Sequence, residues 1–371
     1  MPSRLDAFDV AVYRVPTPAP ESDGTLTWDH TTMVAVHAHA GDRTGFGWTF
    51  AAPAAADVIR DLFAPHLTGL DAMDVPGCFA AMRRVARNAI VPGVVMTAIS
   101  AVDVALWDLK ARLLGVPLVS LFGRARDEVP VYGSGGFTSL TDDELRDQVG
   151  GWARGDGIPR VKIKIGERSG TRVDRDLHRM ALVREAIGGD AELYVDANGG
   201  YTAKQAIRVA DAVRDLDVRW FEEPVSSDDL AGLALVRDRV RCDVAAGEYG
   251  TEALYFRRMC EAGAVDCLQA DATRCGGYTG FLAAATIAEA YGLEVSAHCA
   301  PRLHAPVAAA VPNLRHVEWF ADHVRIGDLV FDGALSAHGG VMRPATDRPG
   351  HGIALTADAE RYRVNTKEDE T

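Results

Sequence analysis

The chain has 371 residues, 48% of them hydrophobic and 25% charged, with a formal net charge of −13. That length and apolar fraction allow two packed domains, and the acidic balance argues against a nucleic-acid partner or an anionic membrane surface. Met1 to Val15 carries charges inside its apolar run, no uncharged apolar stretch reaches about 18 residues, and Cys78, Cys242, Cys260, Cys267, Cys275 and Cys299 show no C-x-x-C or zinc spacing, so the chain reads as a cytoplasmic protein with reduced thiols and no membrane segment.

Taken in chain order, apolar residues alternate over Phe8 to Val15, Met33 to Ala40 and Thr44 to Trp48, with Gly41-Asp42-Arg43 turning between the last two. This predicts a small antiparallel sheet. Between its first two strands, Pro16 to His30 is rich in Pro, Ser, Asp and Gly and predicts a long loop, mobile or functional. Helical stretches follow over Ala54 to Ala64, Pro76 to Arg87 and Val95 to Leu114, the last closed by Gly115 and Pro117. They complete an α+β domain over residues 1–124.

After Gly123 short β-rich runs alternate with longer helix-period segments: Val129 to Ser134, Arg160 to Ile165, Glu192 to Asp196, Val218 to Glu222, Asp243 to Gly247, Cys267 to Ala270, Glu294 to His298 and Val317 to Trp319. Eight strands alternating with helices predict an α/β domain over 125–325 whose parallel sheet closes as a (β/α) barrel. The Gly- and Pro-rich tail, 326–371, is expected to be irregular and to pack back on the first domain.

Side chains at barrel strand ends carry chemistry. Asp196 ends "LYVDAN", Glu222 ends "RWFE" and Glu248 ends "VAAGE", each 26 positions after the last. Three carboxylates in one mouth would raise one another's pKa, and a hard cation such as Mg²⁺ removes the conflict. It would also supply the positive charge that an acidic protein needs for an acidic ligand. Any one of these acids alone would read as a solvated loop residue or a helix cap. Lys162 and Lys164 in "KIK" project to the same strand face, and two facing ammonium groups are expected to lower the pKa of one, making it a base. Asp271 in "QADAT" and His298 in "SAHCA" each follow a strand end; an Asp that accepts from one ring nitrogen leaves the other free as acid or base. Glu318 in "HVEWF" is an interior glutamate that needs a hydrogen bond or a proton, and it is expected to donate to a substrate carboxylate. Asn198 either donates to the same oxygen or holds the turn before Gly199-Gly200.

These residues resemble the enolase superfamily, and within it the mandelate racemase branch. The segment "SAVDVALWDLKARLLGVPLVSLFG" (Ser100 to Gly123) is similar to that family's junction of cap and barrel, and "KIKIG", "DAN", "WFEEP", "GE", "DATRCGGYTG" and "HCAPRLH" follow in order. The resemblance implies a modified (β/α)7β TIM barrel under an α+β N-terminal cap that the C-terminal tail completes. It implies one Mg²⁺ per site on Asp196, Glu222 and Glu248, Lys164 as one base with Lys162 as its electrostatic partner and carboxylate ligand, and His298 with Asp271 as the other acid/base. The family's habit implies a homo-oligomer.

A proton α to a carboxylate is removed only if the enediolate is stabilised as it forms. Bases on two faces allow racemisation or epimerisation, and a β-hydroxyl allows loss of water to a 2-keto-3-deoxy acid. Dehydration of a sugar acid is the favoured expectation. The Pro16 to His30 segment should close over the site with a hydrogen-bonding lining of Glu21, Ser22, Asp23, Thr25, Thr27, Trp28, Asp29 and His30, of which Trp28 and His30 are expected to touch substrate. The alternatives are a racemase or epimerase, a cycloisomerase of a sugar-acid lactone or anhydro-sugar acid, and, remotely, a non-catalytic binding protein that reuses the fold.

Overall fold

The computed structural model of the protein describes residues 3–333 and 335–364. Residues 1–2, at the start of the predicted first domain, and 334 and 365–371, in the predicted tail, lie outside the described residues. The N-terminal sheet is antiparallel, in the order β1 (Ala7–Ser22), β2 (Thr27–Ala40), β3 (Arg43–Phe50). Pro16 to His30 is therefore not the expected loop. Pro16 pairs with His30, the register shifts, and Glu21 with Trp28 and Ser22 with Thr27 resume the ladder. Pro16, Pro18 and Pro20 alternate, so the N–H groups they lack lie on one side of the strand, which an edge strand tolerates.

Only Asp23 to Leu26 turns the chain. Asp23 Oδ1 accepts from the N–H of Thr25 at 2.6 Å and of Leu26 at 2.7 Å, a side-chain-closed turn. The tip rests on the barrel, where Thr138 Oγ1 donates to Asp23 O at 2.7 Å and Ser169 N–H to Gly24 O at 2.8 Å. A Cβ on Gly24 would stand 2.4 Å from Ile165 O, so only glycine permits this approach.

The predicted 54–64 helix runs on to Leu67 through a π-helical stretch at Val58–Phe63, and the second helix is Val75–Val85, capped by Asp74. The third, Val94–Leu114, is buried along most of its length and ends at Gly115 in the left-handed conformation. Its polar residues strap cap to barrel. Trp107 Nε1 donates to Thr279 Oγ1 at 3.0 Å, and Thr279 donates through Oγ1 at 2.5 Å and N–H at 3.0 Å to the two oxygens of Asp103.

Eight parallel strands then form the barrel: β4 (Val129–Gly135), β5 (Arg160–Lys164), β6 (Glu192–Asp196), β7 (Val218–Glu222), β8 (Asp243–Ala246), β9 (Cys267–Ala270), β10 (Glu294–Ala297) and β11 (Leu314–Phe320). Each pairs with the next, and β11 pairs back to β4, so the sheet closes. Seven strand-and-helix units and an eighth strand, itself followed by the helix Ala321–Val330, make a (β/α)7β barrel under an α+β cap. Tyr132, Tyr194 and Trp220, with Ala245 and Cys267, form a packed layer inside it, Tyr194 and Trp220 stacking at 5.4 Å.

The tail is more regular than expected. It begins within the helix Ala321–Val330, and Val341–Met342 pairs antiparallel with Val129 and Pro130 of β4. Beyond that it meets the cap: Gly350 bridges Pro117, Arg363 bridges Tyr13, and His351 N–H donates to Asp108 Oδ1 at 2.8 Å. All six cysteines are free, and among the described residues no helix is long and apolar enough to cross a membrane.

Candidate active site

Strand register brings the functional side chains into one row. Lys164, Asp196 and Glu222 are partners across β5, β6 and β7. Glu248 lies just beyond the end of β8, Asp271 beyond β9 and His298 beyond β10, while Glu318 in β11 pairs with Tyr132. All of these, with Lys162, are buried at the C-terminal mouth of the barrel.

Asp196, Glu222 and Glu248 offer oxygens that all lie within 4.8 Å of one another. Glu248 Oε2 is buried and has no hydrogen-bond partner among the described residues, while Oε1 accepts from Arg274 Nη1 at 3.1 Å. An all-oxygen donor set with an orphaned buried acceptor fits a hard divalent cation. Burial, and after it the charges of Asp196, Glu318 and Glu248, push Glu222 well above the usual carboxylate range against the pull of Lys162. Glu223, the second acid of "WFEEP", was overlooked in the sequence. It is buried at φ +36° with Oε1 unpartnered among the described residues, and burial together with Glu248 raises it too.

Lys162 forms ion pairs with Glu222 and, at 2.8 Å, with Glu318, and lies 3.8 Å from Asp196; Lys164 pairs with Asp196. The expected lowering of one lysine pKa is reversed among the protein's own groups. Burial pulls both lysines down, and Lys162 adds to this for Lys164, but the acids win and hold both above the usual range. Spacing within β5 revealed the lysine pair but not the greater number of acids that neighbouring strands bring to it.

His298 Nδ1 lies 2.9 Å from Asp271 Oδ2, and Asp271 Oδ1 accepts from both N–H and Oγ1 of Thr273 at 2.7 Å. Burial alone would raise Asp271, but the hydrogen bond and charge of His298 and the charges of Arg274 and His304 hold it well below the usual carboxylate range. A carboxylate on Nδ1 keeps the proton there and leaves Nε2 for chemistry. That Nε2 lies 3.3 Å from Glu248 Oε2, 3.7 Å from Glu318 Oε2 and 3.2 Å from Cys299 Sγ. His304, which the sequence reading did not single out, ties the two loops together: Nε2 accepts the N–H of Ala272 at 2.9 Å and Nδ1 donates to Cys299 O at 2.9 Å.

Glu318 is not the donor expected. Oε1 accepts from Ser134 Oγ at 2.6 Å and Oε2 from Cys299 N–H at 2.8 Å. Burial would raise it, but Lys162, His298 and Lys164 pull it well below the usual range, so it stands as an anchored carboxylate. The backbone N–H of Asn198 donates to Asp196 Oδ1 at 2.8 Å, and its side chain lines the cavity with a buried Oδ1 that has no partner among the described residues.

A cavity of about 380 Å³ opens above these groups, reached by Lys164, Asn198, Glu248, Asp271 and His298 from the barrel and by Trp28 and His30 from the hairpin. The expected hydrogen-bonding lining of the hairpin is largely consumed within it. Trp28 Nε1 donates to Glu21 at 3.0 Å and the ring packs edge-on against Phe137, His30 pairs with Asp29 at 2.6 Å, and Asp23 closes the turn. Trp28 thus offers the cavity an apolar ring.

Residues 144–359 match the enolase C-terminal domain-like family, and residues 7–123 match the mandelate racemase / muconate lactonizing enzyme N-terminal domain. A mandelate racemase/muconate lactonizing enzyme-like protein from Rubrobacter xylanophilus superposes with a TM-score of 0.94 at 48% identity, covering 97% of this chain and 100% of that one. A 3,6-anhydro-alpha-L-galactonate cycloisomerase from Streptomyces coelicolor is 33% identical over 94% of this chain and 96% of its own length. L-talarate/galactarate dehydratase from Salmonella typhimurium, solved with Mg and L-lyxarohydroxamate, superposes with a TM-score of 0.90 at 27% identity, covering 98% of this chain and 94% of that one. Matched in both its cap and its barrel, the chain belongs to the mandelate racemase/muconate lactonizing enzyme family of the enolase superfamily.

Proposed function

We propose that this magnesium-dependent enzyme removes the proton α to the carboxylate of a sugar acid and that the enediolate then loses its β-hydroxyl as water, leaving a 2-keto-3-deoxy acid. One observation carries the reading: Lys164 and His298 reach a single cavity from β5 and β10, strands well separated around the barrel, on either side of the carboxylate trio. Magnesium, held by Asp196, Glu222 and Glu248, supplies positive charge against the negative charge that builds on the substrate carboxylate. Lys162, buried behind Glu222 and Glu318, would add its positive charge from beneath them. One of Lys164 and His298 takes the α-proton; His298, its Nδ1 proton fixed by Asp271, returns a proton to the departing hydroxyl from Nε2. The C–H and C–O bonds break, water leaves, and the enol becomes a ketone.

A cycloisomerase is the second reading, favoured by the name of the Streptomyces coelicolor relative. There the same enediolate expels a ring oxygen instead of water. Without a leaving group, proton return to the opposite face would give a racemase.

Incubation of candidate sugar acids with enzyme and Mg²⁺ in D₂O tests the reading. Deuterium at the α-carbon together with a 2-keto acid is expected. Label without keto acid points to racemisation, and no label with any acid makes the protein a binder. We further propose a cytoplasmic homo-oligomer, the location supported by six free cysteines and the assembly by the family's habit, with sedimentation as its check.

A further inference from the structure

We propose that the site selects a monocarboxylate sugar acid whose far end is uncharged, and that His323 is the specificity-determining residue that donates to an oxygen at that end. This deepens the proton-abstraction reading and rests on it. Among the described residues, the two permanent cations lining the cavity, Lys164 and Arg274, both belong to its chemical end, paired with Asp196 and Glu248. The far wall, the cap-facing side where Thr31 meets Asp322 and Phe50 meets His323, has no counterpart among the described residues. Its charged side chains are the acids Asp23 and Asp322, and the oxygens of Asp322 are taken by Thr31 Oγ1 and Arg325 at 2.5 Å each. Arg325 itself lines an outer groove with Trp152 and Leu329. His30 is exposed and engaged by Asp29. Phe50, Ala51 and Ala52 of the cap complete that wall.

A second carboxylate placed there would lose water, gain no cation and face acids, a combination that strongly disfavours it. An uncharged hydroxyl or ring oxygen needs only a donor. His323 is built to be one. Its Nδ1 accepts the N–H of Ala300 at 3.1 Å, so the ring proton sits on Nε2. Its ring stacks on Phe50 at 3.7 Å between centroids and meets Phe320 edge-on at 5.2 Å. Burial also pushes its pKa down to about 4, which keeps the donor neutral at working pH.

The test compares matched pairs, galactonate with galactarate and gluconate with glucarate, plus anhydro-sugar acids as ring-ended monoacids, by α-deuterium exchange and turnover with Mg²⁺. The best monoacid is expected to exceed the best diacid at least ~100-fold in kcat/KM. A diacid equal to or better than every monoacid overturns the inference while leaving proton abstraction standing; no exchange with any acid defeats the underlying reading instead. His323→Phe keeps the stacking ring and should raise KM about 3- to 10-fold, the loss of one neutral hydrogen bond. The same variant should leave a substrate analogue that lacks the far-end oxygen unchanged. Equal loss on both compounds would mean a purely structural role and would overturn the assignment of His323.

Discussion

Arg274 grips Glu248 by one carboxylate oxygen and by the main chain: its Nη1 stands 3.1 Å from Oε1 and 3.3 Å from the backbone O, and the buried Oε2 is left without a hydrogen-bond partner among the described residues. The same guanidinium lies 3.5 Å from Asp271 and over the ring of Tyr249. It therefore braces a carboxylate of the proposed metal trio and the acid of the His–Asp pair at once. Arg274→Met should weaken Mg²⁺ binding about 10- to 100-fold, as measured by calorimetry, because a group that orients a ligand is lost. An unchanged affinity would show that Glu248 needs no brace.

Glu222→Gln removes a charged oxygen from the trio and leaves Lys162 short of its partner. Mg²⁺ affinity should fall by at least ~100-fold, more than for an orienting residue, and α-proton exchange should stop. Circular dichroism should show the fold retained. Full exchange in this variant would remove Glu222 from the metal assignment.

His298→Asn takes away the proposed acid and base on one face while keeping a polar side chain beside Asp271. Dehydration or inversion should drop by at least ~100-fold, the usual contribution of a positioned acid or base. Exchange through Lys164 should continue with a single stereochemistry, read by NMR. Turnover at the wild-type rate would refute the two-sided arrangement.

Asp103 gives a stability prediction. Fully buried between cap helix and barrel, its carboxyl is pushed up to about 7 by that burial, against hydrogen bonds from Thr279 and Tyr278. The unfolded value is near 3.9, so the folded state holds this proton more tightly. Its contribution is full below the unfolded pKa and is lost as pH rises to about 7. The loss is up to ~4 kcal/mol, from about three pKa units. Asp103→Asn cannot titrate and should flatten the fall in Tm between about pH 4 and pH 7. Parallel curves for the two proteins would assign the slope to other groups.

The barrel and its acids were legible because each strand-and-helix unit delivers one carboxylate to the mouth, a period that shows in one dimension as Asp196, Glu222, Glu248. The hairpin was not, because three alternating prolines look like loop composition until their missing N–H groups are assigned to one edge. Arg274, His304 and His323 escaped for another reason. Each works through partners 20 or more positions away, such as Glu248, Ala272 and Ala300, and no local pattern marks such contacts. The lysine pKa shift was misjudged on the same ground, since its sign depends on acids from other strands.

The latch at the hairpin tip sets where this protein can be cut and recombined. Gly24 lies against the carbonyls of Ile165 and Gly166, and Thr138 and Ser169 hold the backbone of residues 22–24. A chimera that imports a foreign tip alone would inherit a misfitted seam beside Lys164. Productive crossover points therefore lie where the tip travels together with the segments after β4 and β5, even though well over a hundred residues separate them along the gene.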